Sequence, residues 1–214
     1  PAYLGILDYE KPGQVVDALL KLGFSEVRET AEGAAYVTEA YTKLLEAGQM
    51  KNIISTCCPS VNELVEKYYP ELVEDMAPVV SPMVAHGKLI KAMYGPDVKV
   101  VFIGPCIAKK QEAEGDDRTT GFVDAVLNFE EVESWLQERD ISIRECEEKQ
   151  PANPDPKVNR LYPVTSGVIS SVLAKKKVDS YKKIFVDGIE DCREVFEDMK
   201  KGLIEGCFIE ANMC

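Results

Sequence analysis

An α/β fold of two lobes, each with a largely parallel sheet flanked by helices, is predicted by three observations on this 214-residue chain. Short, partly β-branched apolar runs alternate with longer amphipathic stretches, the pattern of strands connected by helices. Three of these runs lead to cysteine: Ile53-Ile54-Ser55-Thr56-Cys57-Cys58-Pro59, Val100-Val101-Phe102-Ile103-Gly104-Pro105-Cys106 and Cys207-Phe208-Ile209-Glu210-Ala211-Asn212-Met213-Cys214. A polar stretch from Cys146 to Asn159, rich in Glu, Lys, Pro and Asn, reads as a linker between a first lobe over 1–145 and a second over 160–214.

Taken in order, Tyr3 to Leu7 reads as a strand. A helix follows from about Pro12, with Val15, Val16, Leu19, Leu20 and Leu22 on its apolar side and Gly23 as its stop. A second helix covers Gly33 to Ala47 and leads into a strand at Lys51 to Thr56. Ser60 with Glu63 three residues on reads as a capping box for a helix that ends near Pro70. Pro82 to Tyr94 is a helix closed by Gly95-Pro96 and delivers the chain to the Val100–Ile103 strand. Val123 to Phe129 is a strand, and Glu130 to Arg139 is a helix carrying the single tryptophan, Trp135. Pro163 to Lys175, Ile184 to Gly188, Ile189 to Lys201 and Gly206 to Ala211 then supply helix, strand, helix and strand.

In a parallel sheet all strands end on one edge, and ligands gather in the crevice outside those ends. Cys58, Cys106 and Cys214 should therefore converge, and thiolates on rigid strand ends suit a soft metal centre such as an iron–sulfur cluster. A single such cysteine is more often a small buried hydrophobe. Zinc is the weaker metal reading, because no C-x2-C pair is present. Adjacent strand residues face opposite ways, so Cys57 and Cys58 need different roles.

A chain of this length buries roughly 70% of its unfolded surface, enough for one core or two packed lobes. The net charge of −12 argues against a nucleic-acid partner. No apolar run approaches the ~20 residues that span a bilayer, and no signal segment opens the chain, so the cytoplasm is the expected compartment. Seven cysteines are an odd number and argue for reduced thiols rather than a disulfide scaffold. The chain begins at Pro1 and stops on Cys214, and both ends look cut. The basic run Lys175-Lys176-Lys177 reads as a solvated helix end, His86 as a packed or surface histidine, and Cys207 as core. Cys146 and Cys192 have no partner motif.

Three segments together resemble the signature motifs of iron-only hydrogenases: Ser55-Thr56-Cys57-Cys58-Pro59, Pro105-Cys106-Ile107-Ala108-Lys109-Lys110 with Glu112, and Phe208 to Cys214. Val61 to Leu72, Ser81-Pro82 and Val123 to Leu127 are also similar. The resemblance implies a 4Fe-4S cubane joined through a cysteine to a diiron unit carrying carbonyl, cyanide and a bridging dithiolate, which interconverts two protons plus two electrons with hydrogen. It implies Cys58, Cys106 and Cys214 as cubane ligands, with the fourth ligand falling four residues beyond Cys214. By the same resemblance Cys57 is the proton-transfer thiol, for which an unperturbed pKa near ~8.5 is workable. Lys109 holds one cyanide, Ser81 and Pro82 line the second, and Pro1 and Ala2 contact the diiron unit, while Lys110 is expected to be solvated. Implied partners are an electron-transfer domain or ferredoxin-like protein, maturation proteins and a signalling domain.

Four positions depart from the strongly catalytic members and look more like the divergent branch assigned a sensory role. Gly104 and Asn212 stand where methionine is usual, Met83 where glutamine is frequent, and only Glu39 approaches the family's acidic pair. A non-catalytic iron–sulfur protein of the cluster-assembly type is the alternative. Those relatives generally lack the first cysteine of the Cys-Cys-Pro run, so Cys57 favours the hydrogenase.

Overall fold

Helices and strands alternate along residues 2–115, 119–177 and 179–214, which the computed structural model describes. In chain order they are α1 (Gly13–Leu22), α2 (Ala31–Ala47), β1 (Ile53–Ile54), α3 (Pro59–Tyr68), α4 (Pro82–Tyr94), β2 (Val101–Ile103), α5 (Ala108–Gly115), β3 (Ala125–Leu127), α6 (Phe129–Glu138), α7 (Gly167–Lys175), β4 (Lys182–Asp187), α8 (Ile189–Lys200) and β5 (Cys207–Asn212). The strands form two parallel sheets, one ordered β1-β5-β4 and one pairing β2 with β3.

Alternation along the strands dictates the layers. Ile54, Ile209, Ala211, Ile184 and Val186 pack on one face of the larger sheet with Val61, Leu64 and Val65 of α3 and Cys192, Phe196 and Met199 of α8. Ile53 and Phe208 point to the other face, against Val37, Tyr41 and Leu45 of α2 and Val168, Ile169 and Val172 of α7. The smaller sheet lies between a core built largely from α1 and α6 and a second built from α4, α5 and Val123. Helices α2 and α4 approach so closely that a Cβ on Gly33 would lie 2.4 Å from the Pro82 carbonyl oxygen. Only glycine fits there. His86 pins the same pair, its Nε2 lying 2.9 Å from Glu32 Oε2, so it is a packed histidine as expected.

Four expectations need correction. Tyr3 to Leu7 is not a strand: Ala2–Gly5 form a 3-10 turn, with the Ile6 and Leu7 amides donating to the Tyr3 carbonyl and Leu7 buried against α1 and α6. A short apolar run does not distinguish the two conformations. Ser60 is not the cap of α3. Pro59 takes the first helical position, which it favours because its missing N–H costs nothing there, and Cys58 becomes the N-cap. The helix expected from Pro163 starts at Gly167, after Ser166 in the left-handed region with φ 59°. Strand β1, early in the sequence, is bonded to β5 at the far end of the chain, so the larger sheet draws on both sides of the 146–159 stretch.

That stretch is irregular, as its composition predicts, yet it is tied down. Gln14 Nε2 donates to the Arg144 and Cys146 carbonyls, the Lys149 amide donates to the Gly13 carbonyl, and the Ala152 amide to that of Val27. Asp17, buried on α1, accepts from the Glu147 amide at 2.9 Å and pairs with Lys149 at 2.7 Å and Lys21 at 3.0 Å. Its bond to Lys149 and then that to the Glu147 amide hold its carboxyl far below the usual range. A depressed folded-state value contributes stability above the unfolded pKa of ~4 and loses it as pH falls through the folded value. Asp17→Asn is therefore expected to cost about 1–2 kcal/mol at neutral pH, the partners' exposure holding the figure down. The difference from wild type should vanish in strong acid, as measured by urea denaturation across pH.

Candidate metal centre

Each cysteine of the expected trio sits just past a strand. Cys58 follows β1 and caps α3, whose positive end favours an anionic ligand. Cys106 follows β2 and precedes α5, and Cys214 follows β5. Cys58 and Cys106 are half-buried and Cys214 is exposed. Cys58 and Cys106 both lie within electrostatic reach of Cys214: partial desolvation raises its pKa, and those two thiols raise it further. Among the described residues no three His, Cys, Asp or Glu side chains are close enough to hold one ion. The donor set at the three strand ends is thus three soft thiols. It fits a cubane, in which each thiolate meets a different iron.

Lys109 links the two sheets at this point. From α5 its Nζ donates to the Cys57 carbonyl at 3.0 Å and pairs with Glu112 at 2.6 Å, largely shielded from solvent. Lys110, beside it, is half-exposed and pairs with Glu131. Ser81 is the buried N-cap of α4, its Oγ accepting from the Val84 amide at 3.5 Å, which leaves its hydroxyl hydrogen free to donate elsewhere. Pro82 begins the same helix. Ala2 packs with the α1–α6 core rather than with the thiols, and Pro1 lies outside the described residues.

Cys57 differs from its neighbour. Its thiol packs against the α2–α7 core, and its Sγ lies 3.6 Å from the Tyr41 hydroxyl. Burial pushes its pKa up to about 12, opposed by the Tyr41 hydrogen bond and the Lys109 charge. The thiol therefore rests protonated at neutral pH, a correction to the unperturbed value the sequence suggests. Tyr41, Tyr162 and Thr38, which no motif marks, and Glu210, which lies within the third motif without an assigned role, complete the polar lining on this side. A buried glutamate in the apolar run Phe208-Ile209-Glu210-Ala211 is the one signal that could have found any of them.

The departures also have structural counterparts. A Cβ on Gly104 would meet the Phe102 ring at 2.8 Å, so any side chain there needs that ring to swing aside. Met83 is buried in the α4–α5 core. Glu39 is half-exposed and bonded to Lys43 and Lys175.

Comparison with known proteins identifies the family and the fold. A family model described as iron only hydrogenase large subunit, C-terminal domain, matches residues 2–214. The chain belongs to the iron-only hydrogenase family. It is 28% identical to the large subunit of a periplasmic iron hydrogenase from Nitratidesulfovibrio vulgaris, over 94% of this chain and 55% of that protein. It is 27% identical to iron hydrogenase 1 of Clostridium pasteurianum, over 77% of this chain and 32% of that protein. The chain thus spans about a third to about half the length of these hydrogenases. Its fold is similar to an FeFe-hydrogenase variant from Chlamydomonas reinhardtii, with a TM-score of 0.74 at 20% identity over 95% of this chain and 71% of that one.

Tyr41 is the residue whose structural contribution is most exposed to test. Its fully buried hydroxyl accepts from the Thr56 amide at 2.8 Å and so fixes the chain one residue before Cys57. Tyr41→Phe leaves that amide unsatisfied and is expected to cost about 1–3 kcal/mol in chemical denaturation.

Proposed function

We propose that this chain forms the catalytic-type domain of an iron-only hydrogenase, interconverting two protons and two electrons with hydrogen at a 4Fe-4S cubane plus a diiron unit with carbonyl, cyanide and dithiolate ligands. The observation that carries the reading is that Cys58 and Cys106 lie within electrostatic reach of Cys214, all three at strand ends, with Lys109 crossing between the sheets. When bound, such a centre supplies electrons and the metal at which hydrogen is cleaved or formed.

The chain's own residues do the rest. Cys58, Cys106 and Cys214 hold the cubane as thiolates. Lys109, neutralised on one side by Glu112, directs its remaining donor capacity toward an anionic cyanide. Ser81 offers its hydroxyl hydrogen to the second cyanide beside Pro82. Cys57 holds a proton at Sγ, in a setting where burial favours the neutral thiol.

Gly104 beneath Phe102, buried Met83 and surface-bound Glu39 favour slow turnover, and hence hydrogen or redox sensing through a signalling domain. A ferredoxin-like domain or partner exchanges the electrons, and maturation proteins deliver the diiron unit. No helix among the described residues is long and apolar enough to cross a membrane. Seven free cysteines fit a reducing compartment, which we take to be the cytoplasm.

The test is anaerobic infrared spectroscopy of the full-length protein reconstituted with iron, sulfide and a diiron precursor. Metal-bound carbonyl and cyanide bands that shift under hydrogen are expected. A cubane without those bands would instead make this an iron–sulfur protein of the cluster-assembly type. Cys58→Ala should abolish cubane absorbance, whereas Cys57→Ala should retain it and slow turnover about 10²–10⁴-fold. Equal cubane loss in both variants would refute that division of roles.

A further inference from the structure

Resting on the hydrogenase reading, we propose that Glu210 is a proton-carrying carboxyl for this site, connected to solvent through Tyr162 and Thr38. It would do the work for which Glu39, held at the surface by Lys43 and Lys175, is misplaced.

Glu210 lies on β5, the central strand, and its side chain is completely buried on the face that Phe208 turns toward α2 and α7. One carboxyl oxygen, Oε2, accepts from the Ile169 amide at 2.9 Å in the first turn of α7. The other, Oε1, has no hydrogen-bond partner among the described residues. An unpartnered carboxyl oxygen in a core costs free energy that a glutamine or an apolar residue would avoid, so the position calls for a functional reason. Burial raises the Glu210 pKa, Asp187 adds to the rise, and the Ile169 and Val168 amides and the Asn212 side chain oppose it. The titratable groups facing it from neighbouring segments are Cys57 after β1, Tyr162 before α7 and Asp187 at the end of β4. Glu210 bonds the Ile169 amide and shares the β5 face of Phe208, and Cys57 and Tyr162 pack against that same core of Phe208 and Ile169, so the three groups border one interior.

The connection continues outward. Tyr162 Oη lies 2.9 Å from Thr38 Oγ1, and Thr38 can donate to Asn159 Oδ1 at 2.9 Å. Thr38 and Asn159 line an open cleft of about 630 Å³, bordered also by Glu39 and Lys175. The transfer balances without electrons. A proton arriving from the Cys57 side bonds to Glu210 Oε1. Glu210 passes a proton to Tyr162 Oη as Tyr162 gives its own to Thr38 Oγ1, and Thr38 releases its own to water in the cleft. Each hydroxyl accepts one proton and gives one.

The experiment is infrared spectroscopy of the full-length protein, with and without the reconstituted centre, on transfer from H2O to D2O. A protonated-carboxyl C=O band that shifts in D2O and is lost in Glu210→Gln is expected. Tyr162→Phe and Thr38→Val should slow the shift about tenfold or more, Thr38→Ser should restore it, and Glu210→Gln should lower turnover about a hundredfold with the metal-carbonyl bands retained. A carboxyl band unaffected by Glu210→Gln, or one that exchanges equally fast in Tyr162→Phe and Thr38→Val, would overturn the proposal. If Glu210→Gln does not fold, the Tyr162 and Thr38 variants still decide it. Failure of the hydrogenase reading would appear separately, as missing metal-carbonyl bands.

Discussion

Parallel pairing of Ile53-Ile54 with Phe208-Ile209 is the contact on which the rest of this structure depends. It sets Cys57 and Cys58 beside the outgoing end of β5, and the Ser55 amide extends the ladder by donating to the Ile209 carbonyl at 2.8 Å. Strand β1 is only two residues long, so side chains must hold the Ser55-Thr56 segment that leads from it to the cysteines. Ser55 Oγ accepts from the Ala211 amide, Thr56 Oγ1 donates to the Val79 carbonyl, and Tyr41 grips the Thr56 amide. The two adjacent cysteines are positioned by this clasp, one toward the α2–α7 core and the other toward α3.

The same clasp sorts the chemistry. On the thiol-trio side, half-exposed sulfur atoms stand at strand ends beside a lysine, a setting for anionic ligands. On the opposite side, Cys57, Tyr41, Tyr162 and Glu210 lie in a buried pocket, where desolvation favours every acid in its neutral form. One turn of backbone thus separates groups suited to metal ligation from groups suited to holding protons.

The alternation of strands and helices was legible because apolar periodicity and Gly or Pro stops are local signals. Helix α4 matches its expected bounds residue for residue, since Ser81-Pro82 and Gly95-Pro96 mark both ends. The capping of α3 was misread because serine and proline compete for neighbouring positions, and the outcome turns on where β1 releases the chain. The partner of β1 could not be read at all, for strand order is decided by tertiary packing. At the site, the cysteines were legible by motif. The Tyr162–Thr38 contact was not, because it joins residues 124 positions apart that carry no shared pattern.

The β1–β5 pairing also bears on how the protein is made. Residues 53–54 leave the ribosome long before residues 207–212, and contacts of such sequence separation close slowly. Until then β1 has an open edge, and Cys57 and Cys58 stand in an unfinished crevice. Any cofactor held by all three strand ends must arrive after synthesis of β5, and in the interval the nascent chain exposes free thiols and an open strand edge to oxidation and aggregation.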